Sequence, residues 1–288
     1  MELSVVRVHK AHSPSGRPGQ RARLIVQPEK YLSQCPFILL AEDWFSPQGG
    51  FPTHPHEGIV TVTLVLNGSV KHLNDAGVQL HLDKGDAGFV TAGGGVLHGE
   101  MAGPQGAHVL RLWLNPPSAL KSTQARYECL RLARVQSQAL DGGTALVYAG
   151  KVDDISAPFM SVWPLTLVNL RLRPEARFAM PLPSGERSFA YVLDGEVELG
   201  RNHVGLGRGH VAWIERGLAN SHSHDTVPIR ATKEARVLIY ATPVTDEPMT
   251  MCGNIAKNCR ADFDKAYADL RTRQTAARAT AQRRRDIG

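Results

Sequence analysis

From Ile59 to Val96 the chain carries a β pattern throughout. The run IVTVTLVLNGSVKHL is rich in β-branched residues, and its Asn67-Gly68 pair predicts a hairpin turn. VQLHL then alternates apolar and polar positions, Lys84-Gly85-Asp86 turns, and AGFVTA continues as far as the glycines at 93–95. Evenly spaced short strands with no helical period between them predict a β-sandwich or small barrel.

The same pattern recurs later. TLVLNGSV (63–70) is answered by AYVLDGEV (190–197), with Gly68 matching Gly195, and GDAGFV (85–90) is answered by GHVAWI (209–214). Two copies of one β-architecture predict an all-β protein of two tandem barrels. The expected segments are a first, metal-binding barrel over 1–115, a linker with some helix over 116–158, a second barrel over 159–250, and a C-terminal helix with a basic tail over 251–288. In that last segment Phe263, Ala266, Tyr267 and Leu270 fall at helical spacing, so one face of the helix is expected to pack on a barrel.

FPTHPHEG (51–58) carries the candidate chemistry. His54 and His56 flank a proline just before the first strand run. Pro55 removes one amide donor and biases His54 towards an extended backbone, which stiffens the pair. Side chains at i and i+2 of a strand share a face, so His54 and His56 project together, and so do His98 and Glu100 beyond the glycines. If the two strands are neighbours, three imidazoles and one carboxylate converge. That set suits a borderline divalent cation such as Fe(II), Mn, Ni, Cu or Zn, and leaves coordination positions open on a six-coordinate ion. The repeat supplies a test. The Gly68–Gly195 offset carries His54 and His56 onto Pro181 and Pro183, so the pair is not a requirement of the barrel. His98 and Glu100, carried from Gly85 to Gly209, land on His222 and His224, where a polar turn is expected rather than a second site.

Composition narrows the partners. The net charge is +6, but the terminal 271–288 stretch, with six Arg and one Asp, accounts for +5 of it. The body is close to neutral, which argues against a nucleic-acid surface. Cys35, Cys129, Cys252 and Cys259 are scattered without a C-x-x-C pair, as expected of reduced thiols in a cytoplasmic protein. No signal-peptide or membrane-spanning run is visible. GGG at 93–95 is not followed by a helix, so it is read as a strand bend rather than a phosphate cradle.

These motifs resemble those of the cupin superfamily and, more closely, the pirin family. The likeness rests on FPTHPHEG, TVTLVLNGSVKHLNDAG and KGDAGFVTAGGGVLHGE. It extends to CPFILLAEDWFSP and LWLNPPSALK and to the late EPMTMCGNIAKNCRADFDKAYADL, so it covers nearly the whole chain. The resemblance implies two jelly-roll cupin barrels with one metal in the first, usually iron, held by His54, His56, His98 and Glu100. It also implies one of two roles. The first is a quercetin 2,3-dioxygenase-type oxygenase acting on a flavonol-like substrate with O₂, with Glu100 as candidate base. The second is a redox-responsive regulator that binds a transcription factor or metabolic enzyme. Glu57 and Val60 depart from the residues common in the family. A monomer is the simpler expectation, since two fused barrels already pair.

Overall fold

A computed structural model describes residues 1–288 except 76, 78, 159–160, 216–224 and 287–288, and the side chains at 274 and 276–286. His222 and His224 lie outside the described residues. The chain is built almost wholly of strands, with one long helix, Asp262–Asp286, and divides into two compact units. No described helix is long and apolar enough to cross a membrane.

One unit comprises Pro14–Ala22, Phe37–Cys129 and Thr245–Gly288. Its barrel is organised by two long antiparallel strands, Val60–Asn74 and Val96–Leu114. Residues 60–64 pair with Ala87–Thr91, and 107–114 pair with Phe37–Phe45, forming one wall. Residues 69–73 pair with Gln79–Asp83, and 96–101 pair with Gly50–His56, forming another. The two halves meet at register shifts between Val65 and Asn67 and between Gly68 and Val70. Asn67-Gly68 is therefore a bulge inside one 15-residue strand, not the hairpin turn expected from the sequence. Gly68 sits at φ +71, and a Cβ there would lie 2.1 Å from the Gly106 carbonyl oxygen. The glycine is needed where a strand bends from wall to wall with another backbone against it. Phe45, Val65, Val70, Leu82 and Val109 fill the space between.

The other unit comprises Met1–Ser13, Arg23–Pro36 and Leu130–Val244. Its seven-stranded sheet runs in the order Val5–Lys10, His210–Ile214, Glu186–Asp194, Ala235–Pro243, Thr166–Leu172, Gly143–Ala149, Gln136–Leu140. A four-stranded sheet holds Arg177–Leu182, Asp225–Ala231, Glu196–Leu199 and Val204–Gly207. Val168, Leu170, Val237 and Ile239 of the first sheet and Met180, Val197 and Ile229 of the second share one apolar core. The chain thus folds as two tandem cupin barrels, but the units do not follow the expected linear cuts. The N-terminal strand Val5–Lys10 is an edge of the later barrel, paired with His210–Ile214, whereas the C-terminal segment belongs to the earlier one. The 116–158 stretch, expected to carry some helix, instead forms short strands such as Arg126–Leu130 and Gly143–Ala149, with single 3₁₀ turns at Ser118–Leu120 and Leu132–Arg134. Its alternating residues find ladder partners that a linear reading does not show.

Candidate metal centre

The strand Gly50–His56 lies antiparallel beside Val96–Leu114, with His54 directly opposite His98. The two i, i+2 pairs therefore come to one face. His54 Nε2 lies 3.0 Å from His56 Nε2 and 3.1 Å from His98 Nε2, and the three ring centroids are 4.6–4.7 Å apart. Phe51 meets His54 edge-on, and the buried Trp113 meets His56 in the same way. Trp44 stacks on His108 and Phe45 belongs to the core, so these two aromatic side chains are engaged elsewhere.

The outward nitrogens decide what the inward ones are. His54 Nδ1 donates to the Pro52 carbonyl at 2.8 Å, and His56 Nδ1 to the Asn254 carbonyl at 3.4 Å. A carbonyl only accepts, so each Nδ1 carries the hydrogen and each Nε2 presents a bare lone pair. His98 Nδ1 reaches His72 Nε2 at 2.6 Å, which completes the same arrangement when His98 is the donor. Burial lowers the pKa of all three rings: His54 below its ordinary value, His56 well below it, and His98 to about 3. They are neutral at pH 7. Three lone pairs aimed at one another cannot hydrogen-bond among themselves. Two imidazole donors about 2.1 Å from one cation and at right angles would stand about 3.0 Å apart, which is the spacing found. The residues present fit a divalent metal ion, and among the described residues they are the group whose donor atoms converge in this way.

Glu100 faces the same region from the strand 96–114, opposite Phe51 on one neighbour and His72 on the other. It is buried, and its Oε1 accepts a hydrogen bond from Thr63 Oγ1 at 3.0 Å. Burial would raise its pKa, but His98, His72, Arg111 and the Thr63 hydroxyl together hold the carboxyl below its ordinary value. The close nitrogen cluster itself consists of the three histidines without this carboxylate.

Sequence reasoning missed His72 and the C-terminal strap. His72 is buried, its pKa is lowered by burial, and its ring meets Tyr127 edge-on. No local signal marked it: only the strand register sets His72 opposite Glu100 and Asn74 opposite His98. The strap is the Ile255–Lys257 strand and its approach. Ala256 N–H donates to the Glu57 carbonyl, and Asn254 supplies the acceptor for His56. Glu57 forms a part-buried ion pair with Lys257, so its departure from the family pattern is neutralised locally. Val60, the other departure, is buried.

The chain matches the family description Pirin over residues 27–114 and Pirin C-terminal cupin domain over residues 167–276. It is 30% identical to Pirin-1 of Arabidopsis thaliana, over 81% of each chain. The protein belongs to the pirin family. Among solved structures, the family member is similar to a quercetin 2,3-dioxygenase from Acinetobacter baumannii, with a TM-score of 0.85 at 24% identity over 94% of this chain and 98% of that one. It is also similar to a bacterial pirin from Escherichia coli in complex with nickel(II), with a TM-score of 0.65 at 18% identity over 83% and 99%. At such identities both likenesses speak for the fold.

Proposed function

We propose that this pirin is a mononuclear metal-dependent oxygenase of the quercetin 2,3-dioxygenase type, with iron on His54, His56, His98 and Glu100. The observation that carries the metal is the set of three neutral imidazoles with lone pairs facing a common point. The oxygenase reading is supported by the fold likeness to the Acinetobacter quercetin 2,3-dioxygenase, while the nickel(II) complex of the Escherichia coli pirin keeps other first-row ions in view. A bound divalent ion supplies Lewis acidity and, if it is iron, one-electron chemistry. The residues supply the rest. Pro52, Asn254 and His72 accept the outer imidazole hydrogens and so hold each ring in orientation. Glu100 is the acceptor for the substrate hydroxyl proton, with Thr63 fixing one of its oxygens. Phe51, half-buried and edge-on to His54, offers a planar substrate an aromatic contact, while the buried Trp113 backs His56.

Elemental analysis and EPR of protein purified without added metal, followed by O₂ uptake with quercetin, test the reading. One metal per chain and flavonol-dependent uptake are expected. A fully loaded protein that consumes no O₂ with flavonols, yet captures a protein partner in one redox state alone, would replace the enzyme with a regulator.

A further inference from the structure

The second barrel holds a cavity where the first holds its imidazoles. It measures about 520 Å³, within the range of small-molecule sites, and is lined by Leu165, Thr166, Pro181, Leu182, Pro183 and Glu186. Pro181 and Pro183 are the positions that answer His54 and His56 in the repeat. By the same offset Glu186 answers Ile59, which is wholly buried in the first barrel. A carboxyl has thus taken an aliphatic position at the cavity wall. Its Oε2 is buried without a hydrogen-bond partner among the described residues, and burial raises its pKa to about 7. An unpartnered buried carboxyl oxygen is costly unless a ligand satisfies it.

We infer that this cavity is a second ligand site, for a small and mainly apolar molecule bearing one cationic nitrogen, which Glu186 receives. The walls decide the class. Proline and leucine carbons accept a hydrocarbon or aromatic frame, and Thr166, Ser156 and Ser161 add hydroxyls. Glu186 and the rim's Asp153, with no histidine or cysteine in the lining, are too sparse a donor set for a metal, and the inner carboxylate's charge repels an organic anion. Lys151 and Asp153 stand at the exposed rim, where solvent screens them. The site does not depend on the oxygenase reading, because none of its lining residues belongs to the imidazole cluster.

Isothermal titration of the full chain with benzylamine, benzyl alcohol and benzoate tests the inference. Benzylamine is expected to bind one-to-one, the alcohol at least about tenfold more weakly and benzoate not at all, as a charge-assisted hydrogen bond requires. Glu186→Gln preserves shape and is expected to weaken benzylamine at least about tenfold, whereas His98→Ala leaves that affinity unchanged. A crystal structure of the complex should put the ammonium within hydrogen-bond reach of Glu186 Oε2. The inference is overturned if benzylamine fails to bind, if the alcohol binds equally, if His98→Ala abolishes binding, or if the crystal shows the amine elsewhere.

Discussion

His98 Nδ1 and His72 Nε2, 2.6 Å apart, show how far a candidate ligand depends on its neighbour. With the His98 ring buried, its outer hydrogen has nowhere else to go. Replacing His72 by Phe would leave that hydrogen without an acceptor, and metal affinity should fall about 10–100-fold. His72→Gln, which restores an acceptor oxygen, should recover most of it; competition titration with a chromophoric chelator reads both. Glu100 is a different case. Gln at this position can still accept from Thr63, but it cannot take a proton. Glu100→Gln should therefore depress flavonol-dependent O₂ uptake by about 100-fold or more while metal content falls far less. Equal loss of both would leave Glu100 as a ligand and nothing more. The same-face pairs His54 with His56 and His98 with Glu100 were legible as candidates at this scale because strand periodicity alone puts i and i+2 on one face. His72 was not, because a lone histidine in a strand gains meaning only from the register that sets it against Glu100 and Asn74 against His98.

The C-terminal segment links element to site. Helical spacing put Phe263, Ala266 and Leu270 on one face, and they do cluster, with Ile255. Tyr267, predicted for the same face, is partly exposed and its hydroxyl donates to Cys252. What spacing could not show is that the strand just before this helix bridges in parallel to Glu57, at the end of the histidine strand. Gly58, at φ +70, leaves room for it, since a Cβ would stand 2.0 Å from the Ala256 carbonyl oxygen. Gly58→Ala should displace the strap and free His56 Nδ1 from Asn254. It should cost about 1–3 kcal/mol, which is roughly 2–4 °C per kcal/mol in the thermal midpoint, together with weaker metal binding. Scanning calorimetry with and without metal checks this, and an unchanged midpoint with unchanged affinity would remove the strap from the site. Asn67-Gly68 teaches the same lesson. A dipeptide favouring positive φ suits a turn and a bulge equally well, and only the long partner strand selects the bulge.

At the scale of the whole molecule, pH sets the two barrels against each other. In the unfolded chain the imidazoles take protons near pH 6.5, but in the fold burial delays this, for His98 to about 3. Between those values the unfolded state binds more protons, so acidification removes stability. Glu100, lowered from 4.5, adds to the loss further down. Glu186, raised to about 7, has the opposite sign: its contribution is complete below 4.5 and fades as pH rises through 7. In the metal-free protein, His98→Ala should flatten the fall in thermal midpoint below about pH 6.5, while Glu186→Gln should remove a loss centred between about 4.5 and 7. A slope unaltered by either substitution would show that other groups govern it.

Taken alone, the amino-acid order determined the two-residue period, the duplicated barrel, the family likeness and the faces on which two pairs of ligand candidates lie, since all of these follow from local spacing and internal repetition. Tertiary structure decided which strands are neighbours, which barrel each terminus joins, where His72 and Asn254 stand behind the imidazoles, and that Glu186 borders a cavity. Those are relations between residues tens to hundreds of positions apart. They are set by ladder register and by packing around two cores, and a local pattern contains neither.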